Sequence, residues 1–213
     1  MDITQTITLA LIQGFTEFLP VSSSAHLVIL PKFLDWPDQG LAFDVVLHFA
    51  TLCAIIFYYR SSLVSLTKDF YDSIATRKTQ GESMLAWGIV LGTIPVGIVG
   101  LLFRESIELN LRSYQIVAFA TIFFGLLLGF SDWLHQLLGR SRDYIRGSDI
   151  LIVGCFQALA LIPGTSRSGI TITAALLIGL SRALSIKYAF LLSIPVITLA
   201  TILQAFDLAK DTT

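Results

Sequence analysis

Charge is what this sequence has least of. Asp, Glu, Lys and Arg together make up 14% of its 213 residues, against about 25% in a soluble globular domain, and mean hydropathy reaches +0.77. That scarcity excludes a water-soluble fold and makes the chain an integral membrane protein. Neither sign is in excess: 14 Lys and Arg face 15 Asp and Glu, for a net charge of −1. With no basic surface to neutralise phosphates in series, the composition argues against nucleic acid as a partner. Cysteine is scarce too. Cys53 and Cys155 both stand inside apolar runs and read as small packing residues rather than a disulfide. The N-terminus also lacks the marks of a cleavable signal peptide: it has no basic region, and Glu17 and Pro20 interrupt its apolar run.

What the chain has instead is apolar length. A spanning helix needs about 20 mostly apolar residues, and the stretches 41–59, 84–103, 114–131 and 185–206 meet or approach that. Polar connections at 60–83, 104–113 and 132–148 separate them, and the charged run in 60–83 reads as a solvated loop. Tyr58, Tyr59 and Trp87, near span ends, read as interfacial anchors. Two further stretches, 3–30 and 149–180, are too long for one span and too short for two. Each carries a proline–serine motif at its middle, which fits half-helices that enter the membrane, break and return. Basic residues collect at 60–83 (Arg60, Lys68, Arg77, Lys78) and 132–148 (Arg140, Arg142, Arg146). Only Lys32 falls in 31–40, and only Arg104 and Arg112 in 104–113, so the two richer connections are expected on the cytoplasmic side.

The first motif is Gln13-Gly14-Phe15-Thr16-Glu17-Phe18-Leu19-Pro20-Val21-Ser22-Ser23-Ser24-Ala25-His26, and the second is Pro163-Gly164-Thr165-Ser166-Arg167-Ser168-Gly169. Laying Pro20 on Pro163 puts Ser22 on Thr165 and Ser23 on Ser166, as copies of one unit would. Three spans lie between two re-entrant segments, so the second copy enters from the opposite face as an inverted repeat. The expected fold is therefore all-α: one polytopic membrane domain over 1–213, with a first repeat of about 1–131 and a second of about 149–213. The 143-residue offset sets Asp44 against Lys187 and asks for a counterpart of 84–103 near 227–246, so the second repeat reads as incomplete at the C-terminus.

Ionisable groups at membrane depth are costly and mark function by default. Gly164 and Gly169 let backbone approach a ligand, Thr165, Ser166 and Ser168 bring hydroxyls, and the N–H groups opening the next half-helix favour anions. Arg167 adds a planar fork suited to phosphate oxygens. The plainer alternative is a helix break whose arginine pairs with a nearby carboxylate. In the first motif Gln13 and Glu17 share a helix face. Glu17 can hold a divalent cation or orient a histidine, and His26 can act as a base or as a nucleophile towards phosphorus, unless a carbonyl merely satisfies it. Ser22 or Ser23 is the other candidate nucleophile. Asp44 and His48, four apart on a span, read as a packing pair at least as readily as a catalytic one, and Lys187 as a boundary residue whose ammonium reaches water.

Together these motifs resemble the undecaprenyl-diphosphatase family, also called bacitracin-resistance proteins. The resemblance runs along the whole chain, including Phe43-Asp44 and 185–197. It implies a multi-pass bacterial inner-membrane enzyme that removes one phosphate from the C55 lipid diphosphate, regenerating the monophosphate carrier used in peptidoglycan synthesis. It also implies a site built by inverted repeats and open to the outer side. Carried onto matching positions, the family's roles fall on Glu17, Ser23, His26 and Arg167 as the core set. Ser22, Ser166, Ser168 and Thr171 are supporting groups, and Mg²⁺ or Ca²⁺ is the expected cofactor. Gln13 stands where relatives carry Glu or Gln; it cannot supply a second carboxylate, which puts two-carboxylate metal binding at 13 and 17 in doubt. The implied mechanism has Ser23 attack the terminal phosphorus while His26, oriented by Glu17, accepts the proton; attack by His26 or by water stays open. A prenyl-phosphate transporter and an inactive truncated member are the competing readings, and a homodimer is left open.

Overall fold

The computed structural model describes residues 2–111 and 113–211, and in them the chain is helical, with one isolated β-bridge between Arg142 and Leu180. Arg112, counted above as a loop charge, lies outside the described residues. In chain order the helices are α1 Ile3–Phe18, α2 Ser23–Phe33, α3 Leu41–Tyr58, α4 Arg60–Thr76, α5 Ser83–Asn110, α6 Tyr114–Leu138, α7 Gly147–Ala158, α8 Arg167–Leu177 and α9 Arg182–Asp211. Three of them are long and apolar enough to cross a membrane: 83–103, 114–138 and 182–210. The pair α3 and α4, bent by 74°, meets the same test only when taken together. The three long helices bury 17 to 33% of their most apolar windows inside the protein, so most of their hydrophobic surface faces outward to lipid. This is a polytopic membrane protein.

Both awkward stretches are two helices around a break. Residues 19–22 separate α1 from α2, and a 3₁₀ turn at Leu159–Leu161 followed by 162–166 separates α7 from α8. The charged run after Tyr59 is not a loop. It forms α4, which puts Leu63, Leu66 and Phe70 on one face against Leu85, Ala86 and Trp87 of α5. Helical spacing of three apolar residues thus outweighs the polar composition around them. Trp87, expected as an interfacial anchor, packs in that cluster and donates to Ser73 Oγ at 3.1 Å. Cys53 and Cys155 are free thiols on the exposed surface rather than packing residues. Lys187, whose side chain is partly exposed, pairs with Glu82.

The helices α4, α7 and α9 pack on α5, α3 lies along α9, and α8 along α6. Fully buried Tyr188 ties α9 to α5 by donating to Gly88 O at 3.0 Å. Where α5 and α7 meet, a Cβ on Gly154 would stand 2.9 Å from Gly92 O, closer than side-chain carbons approach backbone oxygen. The ends of the second helix–break–helix are clamped by Arg142, which pairs with Asp149 at the start of α7 at 2.9 Å and donates to Ile178 O after α8 at 2.9 Å. Gly154→Val is expected to destabilise the fold by about 1–3 kcal/mol through overpacking, seen as a lower thermal midpoint in detergent. Gly125→Val, where a Cβ meets nothing within 4 Å, is the control. Equal midpoints for both would mean that the α5–α7 contact is not tight.

Candidate functional site

Local chemistry makes both breaks. In the first, Leu19 is extended and Pro20 cannot continue the α1 ladder, and Ser22 then caps α2 by accepting from Ala25 N. In the second, Gly164 takes φ +94, and a Cβ there would fall 2.3 Å from Val117 O of α6. Thr121 of α6 donates to Gly164 O at 3.0 Å, and Ser166 then caps α8 by accepting from Gly169 N at 3.2 Å. Each cap also pairs with the hydroxyl two residues on: Ser22 with Ser24 and Ser166 with Ser168, both at 3.2 Å. The caps set the equivalence of the motifs at Ser22 with Ser166, 144 positions apart. Matching the prolines is off by one because the second break carries an extra residue. Corrected this way, Ser23 and Arg167 are counterparts, each the first residue of its helix.

These counterparts grip one carboxylate. Arg167 Nη2 donates to Glu17 Oε1 at 2.6 Å, and Ser23 Oγ donates to Glu17 Oε2 at 2.6 Å. Gln13 Nε2 adds a third bond to Oε2 at 3.2 Å, and His48 Nε2 stands 4.0 Å from the same oxygen. The side chains of Glu17 and Arg167 are 7 and 16% exposed. The two breaks also touch directly, with Ser168 Oγ donating to Leu19 O at 3.5 Å. Above the carboxylate opens a cavity of about 210 Å³. Its polar side is formed by Glu17, Ser22, Ser23, Ser24, His48, Thr165, Ser166, Arg167 and Ser168, its apolar side by Val96, Leu161, Val196, Ile197 and Ala200. Three buried side-chain atoms of this array have no protein partner: the donors Arg167 Nη1 and Thr165 Oγ1 and the acceptor Gln13 Oε1. A buried donor left unsatisfied is costly, and an acceptor-rich ligand reaching Arg167 and Thr165, which both line the cavity, would satisfy them. Phosphate oxygens are such acceptors.

Not every expected residue reaches this cavity. The His26 side chain lies outside the lining; the residue is exposed, and its Nδ1 bonds Ser22 O at 2.7 Å. Glu17 therefore does not orient His26. Thr171 is buried and turned back on its own helix, 2.9 Å from Arg167 O, and Gly169 N serves the Ser166 cap. Both stabilise the start of α8 from behind. The imidazole that does face Glu17 is His48, for which spacing left open a pairing with Asp44 or a place on the cavity. Nothing in spacing tells which face of α3 meets a residue 31 positions earlier.

No group of three His, Cys, Asp or Glu side chains suited to an ion occurs among the described residues. Glu17 is the one carboxylate lining the cavity, and Arg167 engages one of its oxygens while Ser23 and Gln13 engage the other.

The family profile described as "Bacitracin resistance protein BacA" matches residues 6–213. The chain belongs to this family. It is 57% identical over 212 residues to "Undecaprenyl-diphosphatase" of Vesicomyosocius okutanii subsp. Calyptogena okutanii (strain HA), covering 100% of this chain and 80% of that protein. It is 59% identical to "Undecaprenyl-diphosphatase" of Ruthia magnifica subsp. Calyptogena magnifica, over 98% of this chain and 78% of that one. Likeness to "Undecaprenyl-diphosphatase 2" of Stutzerimonas stutzeri (strain A1501) is 53%, over 99% and 78%. In this BacA-family chain the contact between the motifs runs through Glu17. Glu17→Gln and Arg167→Met are each expected to lower the thermal midpoint, since each leaves a buried partner unpaired. The double variant should recover about 1–3 kcal/mol relative to the sum of the two. Strict additivity in that cycle would show that the ion pair does not join the breaks.

Proposed function

We propose that this chain is an inner-membrane phosphatase that hydrolyses undecaprenyl diphosphate to undecaprenyl phosphate and inorganic phosphate. The reaction returns the lipid carrier to peptidoglycan synthesis, and excess enzyme confers bacitracin resistance. Its BacA-family membership and its likeness to three proteins named undecaprenyl-diphosphatase support the reaction. The observation that carries it is the array at the floor of the cavity. A serine hydroxyl bonds to a buried carboxylate, and an arginine holds the same carboxylate while keeping Nη1 unpartnered.

In this mechanism the diphosphate lies between the starts of α2 and α8 and the prenyl chain leaves along the apolar wall. Arg167 Nη1 and Thr165 Oγ1 donate to phosphate oxygens, and as Arg167 turns towards the substrate Glu17 loses part of its counter-charge. Glu17 then takes the Ser23 proton across their 2.6 Å bond while Ser23 Oγ attacks the terminal phosphorus. The bond to the bridging oxygen breaks and prenyl phosphate leaves. Water next adds to phosphoserine, the Ser23–phosphorus bond breaks, and the proton returns to Ser23 as inorganic phosphate departs. Positioning and charge stabilisation supply most of the catalysis in such transfers. Glu17 is the lining residue that would hold a Mg²⁺ or Ca²⁺ ion brought with the substrate, and such an ion would supply further positive charge against the diphosphate.

Purified protein is expected to release phosphate from undecaprenyl diphosphate, and Ser23→Ala and Arg167→Ala to cut kcat/KM by about 10²–10³-fold or more. Rapid quench with peptide mapping should find phosphate on Ser23. Phosphate release by wild type with no phosphorylated serine would sink the covalent route and leave attack by water.

A further inference from the structure

We infer that His48 is a substrate-binding residue that takes up a proton as the diphosphate enters the cavity. The inference rests on the diphosphatase reading and adds a group to it. Of the residues lining the cavity, three ionise: Glu17, Arg167 and His48. At rest Glu17 and Arg167 neutralise one another across 2.6 Å. A terminal phosphate alone brings a charge of about −1.5 to −2, and the bridging phosphate brings more. Half-desolvated anionic charge of that size needs further positive charge beside it. Even a divalent ion carried by the diphosphate leaves the assembly negative. His48 is the one remaining lining group that can become a cation.

Its geometry suits that task. His48 Nδ1 lies 2.8 Å from the Asp44 carbonyl, which can only accept, so Nδ1 carries a hydrogen in either charge state. Nε2 faces the cavity, 4.0 Å from Glu17 Oε2, too far for a hydrogen bond in the resting state. Protonation there creates a charged donor on α3, with Glu17 of α1 beside it and Arg167 of α8 in the same lining. The Asp44 side chain is one turn earlier on α3, held at 2.8 Å by Gln39. The α2 serines and the lining residues of α9 (Val196, Ile197, Ala200, Thr201 and Gln204) bring no ionisable group. His48 therefore completes the charge balance from a third helix of the lining.

Titration calorimetry with a prenyl methylenediphosphonate tests this, run at about pH 7.5, where an ordinary histidine is largely neutral. Buffers of different ionisation enthalpy give the number of protons taken up. Wild type should take up about one proton more than His48→Gln, which keeps an N–H donor but no charge. In steady-state hydrolysis His48→Leu should raise KM by about 10- to 100-fold and His48→Gln by less, with the effect on KM rather than kcat. Equal proton uptake by wild type and His48→Gln, or Leu and Gln variants with the same KM, would overturn the inference while leaving the phosphatase intact. A wild type that neither binds the diphosphonate nor releases phosphate would overturn the underlying reading as well.

Discussion

One carboxylate holds the two halves of this site together. Glu17 comes from the end of α1, before the first break, and its two oxygens are claimed by the first residues of the two helices that follow the breaks, Ser23 on α2 and Arg167 on α8. A buried ion pair is weak evidence for stability, because desolvation offsets most of its attraction. It is strong evidence for placement, since separating the partners leaves each charge uncompensated in a poorly solvated setting. Arg167 and Glu17 are 150 residues apart in sequence. Their pairing gives two otherwise independent helix–break–helix units one fixed relation.

The breaks allow that meeting, and each is stabilised by its own devices. Freed backbone groups at membrane depth need partners, and here hydroxyls supply them. Ser22 and Ser166 accept from the first turns of α2 and α8, and Thr121 reaches across from α6 to Gly164 O. The second break has one more residue between its proline and its cap, and Gly164 there takes φ +94 against the α6 backbone. The outcome is asymmetry at equivalent positions: one motif presents a hydroxyl where the other presents a guanidinium. A duplicated cap has thus been divided into a nucleophile candidate and a charge stabiliser, both aimed at one acid.

Much of this is legible in the sequence, for physical reasons. Glu17, Ser22, Ser23, Ser166, Arg167 and Ser168 stand out because polar side chains in long apolar runs are expensive, and the cavity gathers all six. From sequence, a helix break whose arginine pairs with a nearby carboxylate and the arginine of a phosphate site are alternatives; the geometry holds features of both, with Nη2 on Glu17 and Nη1 unpartnered. Distance across the fold is not legible. His26 sits within the motif yet turns outward to its own helix, whereas His48, on another helix, faces Glu17. The amphipathic α4 was hidden by composition, since three apolar residues at helical spacing are few among the charges of 60–83.

The resting array also bears on how such a site avoids acting as a permanent trap for anions. With Glu17 and Arg167 paired, their charges cancel at the floor of the cavity, while one guanidinium nitrogen and one threonine hydroxyl remain unpartnered. A ligand must offer enough acceptor oxygens to draw the arginine partly from its acid. It must also offer apolar length for the wall formed by Val96, Leu161, Val196, Ile197 and Ala200. Inorganic phosphate meets the first demand weakly and the second not at all. A lipid diphosphate meets both, and in the proposed mechanism the same displacement that binds it frees Glu17 to accept the Ser23 proton. Selectivity and activation then come from one exchange of partners, so the product phosphate, lacking the apolar anchor, has little to hold it once the arginine returns.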